Sequence, residues 1–501
     1  MSEALQVRGG VGGIRARLDD LQACAGLLRH CAAELGALAL SLARMLATPQ
    51  LQATVTSAPV SLAAVDASAA AALAGPHGLP SVAARLEAIG VALGLAAGGY
   101  RAADSAADAA VHQAELAAGV VVGRAIAPVL LPAVTGAAAG YVLAGRLRLL
   151  PGSGPGTGTG GPSGTGNCGP PGPLRLLADL AGTGGPSTEH AVAAVPGMVS
   201  GLPVPMVLGT PGVVAALASP VREVPALAGL VGLLGPVVPG LAEPGRVRVT
   251  MRPGREVRPP ADLGDLTDRI AGCYPPDDQP APTATIRVDL VSPEPGRRAW
   301  VVSIPGQQEM SLRGGTNPFD LAGDVHAMAR QDTAARRSVL AAMEQAGISR
   351  GEPILLAGHS QGGMVAAGLA SDPGVRARYD ITHVVTVGSP IAGYPVPDDV
   401  QVLAVEHTDD VVPRLDGRAN PDRHGWVTVE RTLHAPGALA DAVTAHDLDT
   451  YRGTMRLVDR SRDLSVQAFR AGLDPFLDRP GATGWAMEFV AQREPVPGQA
   501  P

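Results

Sequence analysis

The 501-residue sequence contains no lysine, few aromatic residues and only four cysteines. Every basic residue is therefore arginine, which suggests GC-rich coding rather than a mechanism. Aromatic residues make up 3% of the chain although 46% of it is hydrophobic, so the apolar content is mostly alanine, valine and leucine. The net charge of −7 is modest for this length and excludes the basic footprint of a nucleic-acid-binding protein.

The cysteines show no spacing typical of a metal site. Cys24 and Cys31 lie seven residues apart, so on one helix their Cα atoms are roughly 10 Å apart, too far for a disulfide between them. The N-terminus lacks a charged segment followed by an apolar core, which argues against a cleaved Sec signal peptide. We therefore expect a protein of the cell envelope or one secreted by a non-Sec route, with the cytoplasm as the alternative.

Residues 1–115 carry the pattern of a helical bundle. Apolar residues recur at alternating steps of four and three between residues 14 and 46, which is typical of a coiled-coil or bundle helix. An alanine-rich segment over 60–74 and a second stripe over 82–100 follow. These segments predict an antiparallel bundle, and a plain helical packing domain is the simplest interpretation.

Tyr100 and Asp104 lie four residues apart on one helix face, just past the predicted hairpin. This Tyr-x-x-x-Asp motif resembles the export signal of the WXG100 (ESX-type) substrates of type VII secretion. The resemblance covers roughly residues 1–115 and implies type VII export, with a helical protein partner or self-association through these residues.

Three segments with little sequence complexity follow the bundle. Residues 116–150 form an apolar segment, in which 125–145 are uncharged over a length that can cross a bilayer. Prolines and small residues weaken insertion, so membrane contact and a buried soluble helix both stay open. Residues 151–173 are rich in glycine, proline, serine and threonine and predict a disordered linker. Residues 174–245 are apolar but interrupted by proline and glycine, which suits a connector or a lid.

Residues 246–480 alternate between strand and helix patterns and predict an α/β domain with a mainly parallel sheet, followed by a tail over 481–501. A long amphipathic helix is predicted over 324–346. Strands are predicted over 246–250, 284–290, 299–304, 353–357, 382–387, 400–405 and 426–430.

The sequence Gly-His-Ser-Gln-Gly over 358–362 has the form of a nucleophile elbow. It follows the apolar run 353–357 and leads into the small-residue helix pattern of 363–369. A Gly-x-Ser-x-Gly sequence between strand and helix holds the serine in a strained turn and exposes its hydroxyl. Ser360 is therefore the predicted nucleophile, and His359 is predicted to pack beside it.

A serine hydroxyl needs a histidine to accept its proton and an acid to orient that histidine. In α/β-hydrolases these residues follow the serine in the order acid, then histidine. The loop after the strand 400–405 supplies Asp409 and Asp410. His434 directly follows the last predicted strand, and His446 lies at a loop-to-helix junction. Asp409 and Asp410 are both candidates for the acid, and His434 and His446 are both candidates for the histidine. The pattern alone does not choose between them.

The motifs Gly-His-Ser-Gln-Gly, Asp-Val-Val-Pro-Arg-Leu over 410–415, and His446 with Tyr451 five residues later resemble the lipase class 3 group of α/β-hydrolases. The resemblance covers roughly residues 295–455 and implies an α/β-hydrolase fold with Ser360, Asp410 and His446 as the triad. The sequence also resembles actinobacterial α/β-hydrolases with a helical N-terminal region, and its Gly-x-Ser-Gln-Gly-Gly segment is shared with cutinases.

An oxyanion needs two N–H donors. The amide of Gln361, the residue after the nucleophile, is the predicted first donor. The amide of Gln307, after the strand that ends at Ile304, is the predicted second, with an ordinary Pro-Gly turn as the alternative. The Gln308 side chain is a further candidate donor.

The expected function is therefore a serine esterase or lipase that forms an acyl-enzyme and needs no metal or organic cofactor. Its substrate is a small-molecule or lipid ester, and no nucleic acid is expected as a partner. Two alternatives stay open. One is an acyltransferase on the same scaffold, and the other is a type VII secretion-associated interaction protein in which the hydrolase domain is vestigial.

Overall fold

The computed structural model divides the chain into two compact units. One is helical and spans Val11–Val111, and the other comprises the described residues of Met1–Gly10 and His112–Pro501. The structure describes residues 5–53, 56–107, 109–111, 113–114, 245–276, 281–310, 315–433 and 444–494.

Several predicted segments lie outside the described residues. They are the linker 151–173, the apolar segment 116–150, the connector or lid 174–245 except Gly245, and His434. Their predictions remain as stated.

Within its described residues, the helical unit has a helix at each of the three places where the sequence pattern predicts one. Helix α1 is Ile14–Leu46, α2 is Pro59–Leu73 and α3 is Leu79–Val111. The one-turn helix Pro49–Gln52 starts at the proline that ends the first predicted stripe and is left unnumbered.

Helices α1 and α3 are antiparallel. Arg29 on α1 pairs with Glu87 on α3 at 3.4 Å, and Arg101, later on α3, pairs with Asp19, earlier on α1. Gly90 sits where a Cβ would lie 2.9 Å from the Ala25 carbonyl oxygen, so the two backbones approach closely at this point. On α1 the small side chains of the predicted stripe are the buried ones, Ala25, Ala32 and Ala39. On α3 the buried alanine is Ala97, whereas Ala96 of the predicted stripe is exposed.

The helical unit also exposes large apolar side chains. Leu27 on α1 is 65% exposed and Leu95 on α3 is 71% exposed. By length and composition alone, Arg17–Leu46 and Leu79–Val111 could cross a membrane, a test that helices of soluble bundles also pass. Tyr100 of the predicted export motif is 69% exposed, on α3.

The second unit is built on one sheet of ten strands within the described residues. Its strands are β1 Leu5–Gly9, β2 Val247–Met251, β3 Arg255–Val257, β4 Ala284–Ser292, β5 Ala299–Ile304, β6 Pro353–His359, β7 Asp380–Val387, β8 Gln401–His407, β9 Trp426–Arg431 and β10 Thr483–Arg493. Among the described residues, its helices of eight or more residues are α4 Leu263–Ala271, α5 Leu321–Met328, α6 Ala334–Gln345, α7 Gln361–Ser371, α8 Leu448–Asp459 and α9 Leu464–Gly472.

The sheet order is β1-β9-β8-β7-β6-β5-β4-β10-β2, and β3 pairs with β10. Strands β5 to β9 are mutually parallel, whereas β1, β4, β10, β2 and β3 join by antiparallel pairing. The predicted α/β class is confirmed, but the sheet is mixed, with its parallel part confined to five neighbouring strands.

Two strands correct the predicted domain boundaries. Leu5–Gly9, assigned to the helical bundle 1–115, pairs with β9 at one edge of the sheet. Thr483–Arg493, within the predicted tail 481–501, lies inside the sheet between β4 and β2. Both are hard to recognise in the sequence: β1 has only five residues, and β10 mixes glycine and alanine with a few large apolar residues.

The single helix predicted over 324–346 is wrong. Helix α5 ends at Met328, and α6 begins at Ala334. Between them Arg330 adopts a φ of 53°, and the Thr333 hydroxyl accepts a hydrogen bond from the Arg336 amide as the N-cap of α6. The threonine hydroxyl accepts from an amide that has no acceptor within the first turn of α6. This capping favours the start of a new helix at Ala334 over the continuation of α5.

Helices cover both faces of the sheet. On β5, Val302 belongs to one apolar cluster and Val301 to the other, as expected for alternate residues of a buried parallel strand. Helices α5, α6 and α7 pack into the first cluster, and α4, α8 and α9 into the second. The serine turn between β6 and α7 therefore lies at the edge where the parallel strands end.

Candidate active site

Ser360 occupies a strained turn between β6 and α7. Its φ of 53° and ψ of −120° lie in a region that few non-glycine residues adopt. A Cβ on Gly358 would lie 2.3 Å from the Gly362 carbonyl carbon, and one on Gly362 would lie 2.4 Å from the Ile304 carbonyl oxygen. Both glycines are therefore needed for the close approach of the strand, the helix and β5.

The structure brings together the three residues that the sequence analysis selected. Ser360 Oγ lies 3.0 Å from His446 Nε2, and His446 Nδ1 lies 2.7 Å from Asp410 Oδ2. Asp410 is completely buried, whereas the His446 side chain is 24% exposed. His446 directly precedes Asp447, the N-cap of α8, which is the predicted loop-to-helix junction.

The Asp410 carboxylate is held by donors from three elements. The Tyr451 hydroxyl donates to Oδ2 at 2.7 Å, and the Val412 amide donates to Oδ1 at 2.9 Å. With the carboxylate as acceptor, His446 Nδ1 carries the proton, and Nε2 is left to accept from the Ser360 hydroxyl. The sequence marked Tyr451 only as part of a family signature, and its contact with the acid is new.

The rival acid Asp409 and the nearby histidine His407 have other contacts. Asp409 Oδ2 accepts from the Leu433 amide at 2.7 Å. Both ring nitrogens of His407 are engaged, with the Ala445 carbonyl and the Thr454 hydroxyl, each at 2.7 Å. Its ring stacks on Tyr451 with 3.8 Å between centroids, so His407 supports the tyrosine that contacts the acid.

The loop after β5 lies against the serine. A Cβ on Gly306 would be 2.9 Å from Ser360 Cβ, which places the predicted donor loop at the nucleophile. Gln361 is in the first turn of α7, where amides have no acceptor within the helix. The Gln308 amide donates to the Phe319 carbonyl, and its side chain donates to the Cys273 carbonyl, so Gln308 holds the loop in place.

A buried ion pair connects the elbow to β10, a contact that the sequence analysis missed. The Gln361 side chain donates to the Asp320 carbonyl at 3.0 Å. The Asp320 carboxylate caps α5 through the Gly323 amide and pairs with Arg493 at 2.5 Å. Nothing local in the sequence signals this pairing, because Asp320 and Arg493 are 173 residues apart.

His359 has the buried position that was predicted, beside the nucleophile. Its Nδ1 lies 2.6 Å from the Tyr274 hydroxyl, and its Nε2 lies 3.1 Å from the His446 carbonyl oxygen. Burial, with a smaller contribution from the charge of nearby His446, lowers the pKa of His359 to about 3. The ring is therefore neutral at physiological pH.

Two carboxyl groups border the acid loop, the buried Glu406 and the half-buried Asp416, and they give a pH prediction. Burial, together with the nearby charge of Asp416, raises the pKa of Glu406 from 4.5 to about 8. The unfolded chain releases this proton near pH 4.5 and the folded chain near pH 8, so the contribution to stability declines as pH rises between these values. The Glu406→Gln variant should therefore have about the same free energy of unfolding as the wild type near pH 5. Between pH 5 and pH 8 this free energy should fall less in the variant than in the wild type.

Urea unfolding of both proteins between pH 5 and pH 8 measures this difference. Glu406 Oε1 accepts from the Asn420 side chain, and a glutamine preserves that acceptor. Parallel pH dependences of the two proteins would contradict the raised pKa of Glu406.

Among the described residues, no group of three or more histidine, cysteine, aspartate or glutamate side chains is placed to hold a metal ion. Comparison of the chain with protein-family models, with curated proteins and with solved structures gives no match. The geometry around Ser360 is therefore the basis for assigning a function.

Proposed function

We propose that this protein is a serine hydrolase of the α/β-hydrolase type that cleaves carboxylic esters through an acyl-enzyme. The observation that carries the proposal is the hydrogen-bonded series Ser360–His446–Asp410, with distances of 3.0 and 2.7 Å, at a turn strained at the serine itself. An acid, a base and a hydroxyl in this arrangement have the geometry required for nucleophilic acyl transfer. The resemblance to lipase class 3 enzymes supports the same assignment.

In the proposed reaction, His446 Nε2 takes the Ser360 proton as Oγ attacks the ester carbonyl carbon. Asp410 stabilises the resulting imidazolium through Nδ1, and the histidine then protonates the departing alcohol. Water activated by the same histidine attacks the acyl-enzyme and releases the carboxylic acid. The histidine has the correct tautomer before substrate arrives because Asp410 accepts from Nδ1.

The oxyanion of each tetrahedral intermediate is assigned to the backbone amides of Gln361 and Gln307. Gln361 contributes the amide of a first helical turn, where the helix dipole also favours negative charge. Gln307 follows Gly306, whose backbone is held beside Ser360. Removing one such donor typically costs about 10²- to 10³-fold in kcat.

Hydrolysis of p-nitrophenyl acetate, butyrate and octanoate by the purified full chain tests the proposal. We expect saturable release of p-nitrophenol from at least one ester, with the carboxylic acid as the second product. Addition of 1-butanol distinguishes an acyltransferase, which would form mainly the butyl ester at low acceptor concentration. Absence of turnover with all three esters would contradict the assignment.

A further inference from the structure

A second series of hydrogen bonds, separate from the contact with Asp410, reaches the backbone carbonyl of His446. The Gly306 amide donates to the Tyr274 hydroxyl oxygen at 2.6 Å. The Tyr274 hydroxyl lies 2.6 Å from His359 Nδ1, and His359 Nε2 lies 3.1 Å from the His446 carbonyl oxygen. The series thus connects the loop after β5, the residue before the nucleophile and the backbone of the predicted base.

With the His359 ring neutral, only one arrangement of protons satisfies all three bonds. The amide of Gly306 can only donate and the carbonyl of His446 can only accept. The Tyr274 hydroxyl therefore accepts from Gly306 and donates to His359 Nδ1, which leaves the proton of the neutral ring on Nε2. This direction is stable because burial raises the pKa of Tyr274 and lowers that of His359 to about 3, so both groups stay neutral.

We propose that Tyr274 and His359 are positioning residues, which hold the oxyanion loop and the His446 loop in fixed relation to Ser360. The inference rests on the proposed function. Neither residue is assigned a contact with the substrate. Tyr274 acts through Gly306, which precedes the donor Gln307, and His359 acts through the backbone of His446.

The neutrality of His359 also suits the charge that the reaction creates. The rings of His359 and His446 are tilted by 32° with 4.8 Å between their centroids. When His446 becomes an imidazolium, a charged neighbour at this distance would oppose it, whereas a neutral ring does not. A buried histidine with both nitrogens engaged meets this requirement.

Tyr274→Phe tests the proposal because it keeps the ring and removes the hydroxyl. Gly306 N–H and His359 Nδ1 both lose their partner, so the loop and the histidine are free to shift. We expect kcat for a p-nitrophenyl ester to fall about 10- to 100-fold, with KM within about threefold of wild type, because misplacement by about 1 Å costs this much. The rate of Ser360 labelling by a fluorophosphonate should fall in parallel.

Tyr394→Phe is the matched control. Tyr394 is buried in the same unit, and its hydroxyl donates to the Ala327 carbonyl, without contact to the triad. It should lose comparable thermal stability yet keep kcat within about threefold of wild type, because it removes a hydrogen bond of the same kind. An equal loss of kcat in both variants would show a general structural effect and overturn the proposal.

Variants of His359 test the second half of the series. His359→Leu removes both bonds and should lower kcat at least as much as Tyr274→Phe. His359→Gln keeps an amide donor for the His446 carbonyl and should recover part of the loss. Adding Tyr274→Phe to His359→Leu should lower kcat by less than about a further threefold, because residues of one hydrogen-bonded series do not act independently.

These measurements separate failure of the inference from failure of the proposed function. Wild-type protein without turnover and without label on Ser360 would remove the function itself. If the wild-type protein is active and the kcat of Tyr274→Phe lies within about threefold of the wild-type value, the positioning role alone is overturned. If Tyr274→Phe does not fold, the comparison of kcat between His359→Gln and His359→Leu tests the proposal. Equal kcat values for these two variants would contradict it.

Discussion

Replacing Ser360 with alanine should lower kcat for ester hydrolysis by about 10⁵- to 10⁶-fold, the largest effect of any substitution in the protein. The change removes the oxygen that lies 3.0 Å from His446 Nε2, so no acyl-enzyme can form. The remaining rate comes only from the donors and binding that stay in place. We expect the folded state to persist, because the backbone strain at residue 360 is the same for serine and alanine.

Ser389→Ala provides the control for this experiment. Ser389 is buried next to Gly363 of α7, and its hydroxyl donates to the Val387 carbonyl at 3.0 Å. Losing this hydroxyl should reduce stability without a change of kcat larger than about threefold. Turnover by Ser360→Ala above about 1% of wild type would show that another residue carries the reaction.

Asp410→Asn should lower kcat by about 10⁴-fold, the second largest effect. The carboxylate accepts from His446 Nδ1, Tyr451 and Val412. An asparagine brings an N–H group into a position surrounded by donors, so it either opposes Tyr451 or forces the proton of His446 onto Nε2. A histidine protonated on Nε2 cannot accept the serine proton.

The neighbouring carboxylate gives a control of the same chemistry. Asp409→Asn keeps the side-chain oxygen that accepts from Leu433 and has no contact with His446 among the described residues. We expect its kcat to stay within about tenfold of wild type. The measurement is the ratio of kcat for Asp409→Asn to kcat for Asp410→Asn. Equal losses would mean that the acid of the triad is not distinguished by its contact with His446.

The residues of the candidate site could be predicted from the sequence because their signals are local or follow the chain order of a fold. The elbow is a five-residue motif between a buried strand and a small-residue helix, and the acid and base follow at the ends of later elements. Asp410 and Asp409 were separated only by family resemblance. In the structure they differ by partner, because Asp410 contacts His446 and Asp409 contacts Leu433.

The contacts that hold the site in place could not be predicted in this way. Tyr274 reaches His359 across 85 residues of sequence, and Arg493 reaches Asp320 across 173. Such contacts depend on the sheet order, in which β10, formed by the last described residues, enters beside β4. A sequence pattern can show that a segment forms a strand, but it rarely shows which other strand it pairs with. For β10 even the strand itself was not predicted.

The N-terminal unit shows the complementary case. Its two long helices are predicted from helical periodicity, a strong signal over long segments, and the shorter α2 from its alanine-rich composition. Type VII export and a helical partner for residues 1–115 stay predictions, since the structure of this unit alone does not test them. Membrane contact through 125–145 stays a prediction because these residues lie outside the described part of the chain. The apolar side chains exposed on α1 and α3 are the surface on which a partner experiment should concentrate.

The most direct test of the account is the location of a covalent fluorophosphonate adduct on the full chain. Trypsin cleavage after Arg350 and Arg376 releases a peptide that contains both Ser360 and Ser371, which fragment-ion masses distinguish. We predict a single adduct on Ser360 that is absent from urea-unfolded protein and from a His446→Ala variant. An adduct on Ser371 or on another serine, or labelling that persists without His446, would contradict the proposed mechanism.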